Sequence, residues 1–275
     1  ADGMTPIQPE LDKINAISDK AGIIQAMADL TGSAYFQFYV GADIMDSKMN
    51  IFQLYQGGIG LGEKEYYLDT DEATTNIREG YKAHIVKMFQ LIGQDEKTAT
   101  KNMEAVMEIE TRLAKKAFSA VEQRNPAANY HMLTLDEVKK QIAGFDWDAY
   151  LNAVGVKGVT SMNVSQIEPV QEAVAIINEM PLDKQKAYLQ WKLVDDAAAY
   201  LSEDFVAQNF EFYGKVMSGK KEDQPRWKKA VGTVNGVLGE AVGQMYVEKY
   251  FPAEAKERMV QLVKNLQVAL GERIQ

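Results

Sequence analysis

The sequence contains no cysteine, and only two histidines and seven prolines among 275 residues. Without a thiol there can be no disulfide, no cysteine nucleophile and no thiolate metal site. The two imidazoles, His84 and His131, each lack a second histidine one helical turn away, since the chain reads HIVKM from the first and HMLTL from the second. A mononuclear zinc hydrolase draws on three protein ligands, commonly with two histidines on one helical face, and that pattern is missing. Nor does any serine stand in the strained strand-to-helix turn that activates a nucleophile. Each histidine is read as a helix-surface or capping side chain.

Long apolar runs are also lacking. No stretch approaches the roughly 20 residues needed to span a bilayer. The opening residues ADGMTPIQPELDK carry neither the basic nor the apolar region of a signal peptide, so any targeting segment is expected upstream. Positive charge is in deficit, with 30 basic against 39 acidic residues and a formal charge of −9. Such a surface repels polyanions, which makes nucleic acid and anionic membrane poor partners.

What remains is a chain with 46% hydrophobic residues, long enough to bury about 70–75% of its unfolded surface. Apolar residues recur at three and four along most of it. Helices are expected near 9–18, 21–31, 73–93, 96–119, 135–143, 147–154, 166–179, 183–217, 226–249 and 253–273. The exception is YFQFYVGA (35–42) and MNIFQLYQ (49–56), aromatic and β-branched runs separated by DIMDSK, which predict a β-hairpin. The expected fold is mainly α: a single helical domain over 1–275, with the hairpin at about 35–56 and a helical body at about 73–273. Helix ends carry their own chemistry. Thr134 with Glu137 fits a capping box, Gly144 closes that helix, and Asp146 caps the next. Pro181, Pro225 and Pro252 each mark a start or break.

The carboxylates form no catalytic pattern. Asp195 and Asp196 are adjacent, and neighbours on a helix project about 100° apart rather than onto one substrate atom. Glu104, Glu108 and Arg112 follow at steps of four, the pattern of a solvated face with one favourable ion pair. In 226–249 the glycines Gly232, Gly236, Gly239 and Gly243 fall on one narrow stripe, beside an arc of Trp227, Val231, Val234, Leu238, Val242 and Met245. Each costs about 1 kcal/mol relative to alanine, so close approach of a neighbouring helix is expected, with protein around much of this helix.

The segment YQGGIGLGEKEYYLD, Tyr55 to Asp69, has the glycine density of a phosphate loop but not its grammar. Gly58 and Gly60 supply G-x-G, yet Glu63 holds the place of the third glycine, no Walker lysine follows, and Glu63 and Glu65 put negative charge where phosphate would sit. The segment instead resembles a signature of the neprilysin-like zinc metallopeptidases, family M13, and in particular its bacterial PepO-type oligopeptidases. The family's Gly-Leu-Pro-x-Arg-Asp-Tyr-Tyr is similar to Gly60, Leu61, Gly62, Glu63, Lys64, Glu65, Tyr66 and Tyr67, with Gly62 for the proline and Lys64 for the arginine. The resemblance is collinear over essentially all 275 residues. FQFYVGADIMDSK resembles a Phe-x-Phe-Tyr-Val-Gly-x-Asp segment. EIETRLAKKAFSAVEQRNPAANYHMLTLDEV resembles an acidic helix followed by Arg-x-x-x-x-Tyr-Asn and a Thr-Leu helix start, His131 standing for the asparagine. YLQWKLV and RWKKAVGTVNGVLGEAVGQMYVEKYFPAEAK resemble Trp-Arg and Arg-Trp…Ala-Val-Gly-x-x-Tyr-Val segments.

In that family an HExxH helix and a downstream ExxxD glutamate hold zinc, and an Asn-Ala-x-Tyr segment holds substrate backbone. Neither HExxH nor Asn-Ala-x-Tyr occurs in this sequence, and without the HExxH helix no ExxxD glutamate has a zinc site to complete. The resemblance therefore implies a middle, helical portion of a zinc metalloendopeptidase, a lid that encloses peptide substrates. Its partners would be the catalytic domain of the same polypeptide and the peptides themselves. It implies zinc in the intact parent and none bound by this chain, no residue here with a catalytic, cofactor or metal role, and a periplasmic, secreted or cell-surface location in a bacterium. Gly62 in place of proline is expected to loosen the turn. The competing reading is a self-contained helical module that grips a peptide or protein. A third, an enzyme whose acids are assembled by the fold, is motivated only by the number of carboxylates.

Overall fold

The computed structural model describes residues 2–274. The chain is mainly helical and divides into two units, Ala1–Lys221 and Glu222–Gln275. The first opens with α1 (Gln8–Ala16) and α2 (Lys20–Asp29), followed by strands β1 (Phe36–Ala42) and β2 (Asn50–Gln56). The short α3 (Glu65–Leu68) leads into two long helices, α4 (Glu72–Leu91) and α5 (Glu96–Lys116). Then come α6 (Ala120–Gln123), β3 (Met132–Thr134), α7 (Leu135–Gln141), α8 (Trp147–Ala153), β4 (Ser161–Val164), α9 (Ile167–Glu179), α10 (Leu182–Ala197) and α11 (Glu203–Asn209). The last runs directly into a π-helical segment, Phe210–Met217.

The expected hairpin is present, with Phe36 opposite Gln56 and Ala42 opposite Asn50. It is half of a larger sheet ordered β1-β2-β4-β3, in which β4 runs parallel to β2 and antiparallel to β3. β3 and β4 escape a periodicity reading because three and four residues are too few to show alternation. The single helix expected over 183–217 is another departure. It breaks at Leu201, whose backbone is extended, and restarts at Glu203 behind Ser202 with Glu203 and Asp204 in the first turn. The apolar stripe survives the break: Tyr188, Trp191, Val194, Ala198 and Phe205 are all buried.

Local chemistry fixes the remaining ends. Thr134 and Glu137 form the reciprocal capping box, Gly144 adopts φ +89°, and the Asp146 carboxylate accepts from the N–H of Ala149. Asp71 and Asp95 likewise cap α4 and α5. The core lies between the sheet and α4, α5, α9 and α10, where Trp147, Trp191, Tyr81, Tyr150, Phe36 and Phe89 are fully buried.

The second unit holds α12 (Arg226–Tyr250) and α13 (Ala253–Ile274), and neither contains a buried residue among those described. This corrects the expectation for the glycine stripe. A Cβ built at Gly232, Gly236, Gly239 or Gly243 would meet nothing within 4 Å. Trp227, Val231, Val234 and Leu238 are exposed. The glycines instead flank a local departure at Leu238, whose φ of −119° and ψ of 21° are not helical.

Candidate functional site

The glycine-rich segment that leaves β2 is held from below by a buried carboxylate. Glu110 sits on α5 among Val106, Ile109, Leu113 and Ala114 and is fully buried. The Tyr67 hydroxyl donates to its Oε2 at 2.6 Å, and that of Tyr81 to the same oxygen at 3.0 Å. Each hydroxyl already accepts an N–H, Tyr67 from Leu61 at 3.0 Å and Tyr81 from the Trp191 indole at 2.9 Å. Each phenolic proton is thereby committed to Glu110. Glu110 Oε1 also lies close against the Gly60 backbone, 3.3 Å from where a Cβ would stand. Burial pushes the Glu110 carboxyl up from its ordinary value, against the nearby Lys192 charge and the tyrosine hydrogen bonds. Burial followed by the Glu110 charge drives the Tyr67 and Tyr81 phenols well above theirs.

A second anchor lies beside the first. The buried Tyr188 hydroxyl donates to the Gly58 carbonyl at 2.7 Å and accepts from the N–H of Tyr35 at 3.0 Å. The glycines follow from this geometry. A Cβ on Gly60 would stand 1.9 Å from the Tyr81 hydroxyl, and one on Gly58 would stand 2.6 Å from that of Tyr188. Gly62 has φ +82°, which a proline ring fixed near −65° cannot adopt. The turn at this point therefore requires glycine; it is not a loosened proline turn. Lys64, in place of arginine, pairs with Glu122 at 3.2 Å and so ties the segment to the α6 capping box.

Above the segment opens a pocket of about 190 Å³ lined by Tyr35, Gln37, Tyr55, Gly57, Gly58, Leu113 and Gln123 among others, none of them charged. The anchored segment forms one wall of a small, uncharged recess.

Both histidines sit differently from their expected surface positions. His84 is buried, stacked on Phe212 at 5.1 Å, with Nδ1 3.1 Å from the Gln208 amide nitrogen and Nε2 3.7 Å from Asp195 Oδ1. Tyr213 donates to the other Asp195 oxygen at 2.8 Å. The residue beside it, Asp196, is exposed, so the two acids face different surroundings. His131 is half-buried. Its backbone N–H donates to Asn163 and its Nδ1 lies 3.0 Å from the Val164 carbonyl, which ties β3 to the end of β4.

The Glu104–Glu108–Arg112 row is likewise not a self-contained solvated face. Arg112 bridges to Glu172 and Glu179 on α9, and Glu108 pairs with Lys184 on α10. Among the described residues no three His, Asp or Glu side chains converge as a metal site. The nearest approach, His84 with Asp195, has one imidazole nitrogen engaged by Gln208 and no third ligand. These residues do not fit a zinc ion.

Comparison with known proteins gives the arrangement its family. The N-terminal-region profile of peptidase family M13 matches residues 1–275. The chain belongs to peptidase family M13. Endothelin-converting enzyme 1 of Rattus norvegicus and of Homo sapiens are each 26% identical to it over 249 residues, covering 87% of this chain and 32% of theirs. The chain thus spans about a third of the length of the curated relatives it matches. The crystal structure of the zinc metalloprotease Zmp1 of Mycobacterium tuberculosis, in complex with an inhibitor, is 30% identical with a TM-score of 0.90. That match covers 98% of this chain and 41% of Zmp1. PepO of Lactobacillus rhamnosis shares the fold at 19% identity and a TM-score of 0.77, over 96% of this chain and 42% of that one.

In this M13 chain the anchored carboxylate was missed by sequence reasoning, although the signal was present. Glu110 occupies position i+4 of the stripe Val106, Ile109, Leu113, where a solvated acid does not belong. Its partners lie too far away in sequence for spacing to find.

Proposed function

We propose that this chain is the non-catalytic, substrate-enclosing portion of a zinc-dependent metalloendopeptidase. The observation that carries the reading is the surface of the second unit. Along α12 and α13 the side chains of Trp227, Met245, Tyr250, Val263, Leu266 and Leu270 are all exposed, an apolar area far beyond what a soluble surface ordinarily leaves in water. In this reading those faces seat the catalytic portion of the same polypeptide. The first unit then supplies a rigid wall, with the Glu110 and Tyr188 anchors holding the glycine segment and its recess in place. Zinc would polarise the scissile peptide carbonyl and activate water in the parent. The residues of this chain contribute by shaping and restricting access. The compartment we assign to the parent is the periplasm, the cell surface or the secreted fraction of a bacterium, a reading that cell fractionation checks.

The test compares two purified proteins, this chain and the longer polypeptide that carries it, for zinc-dependent hydrolysis of a fluorogenic peptide. The reading expects activity from the longer polypeptide alone. Zinc-dependent hydrolysis by the 275-residue chain would overturn it.

A further inference from the structure

We propose that the outer edge of β1 is a strand-addition site for an extended, uncharged peptide segment; this deepens the enclosing role proposed above and rests on it. β1 is the terminal strand of the sheet. The ladder fixes which of its backbone groups are open. The Leu54 carbonyl accepts from Ser165 and the Gln56 N–H donates to Gln166, so Leu54 and Gln56 face β4 and not β1. Their partners on β1, Phe38 and Phe36, therefore face away from β2. The same alternation turns the N–H and C=O of Val40 and Ala42 outward. Phe36 N–H is taken by the Ala34 carbonyl, and Gly32 lies beside Phe38. What remains open is the stretch around Val40 and Ala42, both exposed.

Native edges are ordinarily blunted by lysine, proline or a bulge. The seven residues FQFYVGA contain no charge and no proline, and Tyr39 and Val40 are 53% and 54% exposed. The hairpin tip beyond them presents Ile44, Met45 and Met49, also exposed. Donors and acceptors repeating every second residue fit an extended backbone, and the flanking side chains favour uncharged residues on it. The recess beside the glycine segment adjoins the other end of the hairpin through Gln37 and Tyr55. Its volume of about 190 Å³ suits one side chain, and its lining carries no charge. The edge supplies the backbone contacts, and the recess supplies a preference for an uncharged side chain.

The probe is the peptide acetyl-Thr-Val-Phe-Val-Thr-amide added to the 275-residue chain, read by amide hydrogen exchange. Exchange at Val40 and Ala42 is expected to slow at least tenfold at saturation, with Tyr39 and Gly41 unchanged. N-methylation of alternate probe residues is expected to weaken binding at least tenfold in one register and less than twofold in the other. Equal binding of both methylated peptides overturns strand addition, as does no binding at millimolar probe. So does protection of Val40 in the longer polypeptide without any peptide, because the edge would then already be covered. Val40→Pro, which removes an outward N–H and no ladder bond, should raise KM for peptide hydrolysis by the longer polypeptide about tenfold with kcat held. The methylated probes decide the matter if that variant does not fold. An unchanged KM sinks the edge site and leaves the enclosing role standing. Cleavage of folded proteins as readily as peptides sinks the enclosing role, whatever the probe does.

Discussion

A hydroxyl that both accepts and donates is worth more to a buried cluster than either bond alone. Tyr67 joins the Leu61 N–H to the Glu110 carboxylate, so Tyr67→Phe leaves two buried groups short of a partner. We expect a loss of about 1–3 kcal/mol in urea unfolding. Tyr66→Phe, beside it in sequence and without a hydroxyl hydrogen bond among the described residues, should stay within about 0.5 kcal/mol. Gly60→Ala drives a methyl into the Tyr81 hydroxyl and should cost about 1–3 kcal/mol, the range for overpacked sites. The glycines were legible in the sequence as a turn. What they face was not, because the tyrosines and the glutamate that crowd them come from α3, α4, α5 and α10. Spacing also misled at the histidines, since nothing within one turn of His84 announces Phe212 or Asp195.

Elements whose ends carry their own hydrogen-bonding groups were the most legible. Thr134 with Glu137, Gly144 and Asp146 punctuate α7 and α8 where local chemistry places them. The break between α10 and α11 was hidden because an unbroken apolar stripe runs through it, and burial of that stripe outweighs the few backbone bonds lost at Leu201. The α6 cap makes a pH prediction. Backbone and hydroxyl bonds from Ser119, with Lys64 beside them, pull the Glu122 carboxyl down from 4.5 to about 2. A carboxyl lowered in the folded state stabilises it above the unfolded value, and that contribution is lost as pH falls through the folded value. Stability should therefore decline between pH 4.5 and 2 in part through this group. Glu122→Gln should flatten that part of the urea-midpoint profile and leave the profile above pH 6 parallel to the parent chain. An unaltered acid limb in the variant would remove Glu122 from the account.

Over the whole molecule, the sequence marked a helical protein with apolar faces but could not say which faces remain uncovered. On α12 the glycine stripe and its apolar arc promised a neighbour, and in this chain the arc lies open. The enclosing reading supplies that neighbour from the same polypeptide. Leu266, 61% exposed on α13, tests it. Leu266→Ala should change the stability of this chain by less than about 0.5 kcal/mol. In the longer polypeptide the same change should cost about 2–5 kcal/mol, as for a buried leucine. Equal small effects in both would leave the face without a partner. The central claim, a wall that admits peptides and excludes folded proteins, is tested most directly by a size cut-off. One cleavable sequence is offered to the longer polypeptide twice, as a free peptide and within a surface loop of a stable folded protein. The account predicts rapid cleavage of the peptide and at least a hundredfold slower cleavage of the loop. Comparable rates for the two would contradict it.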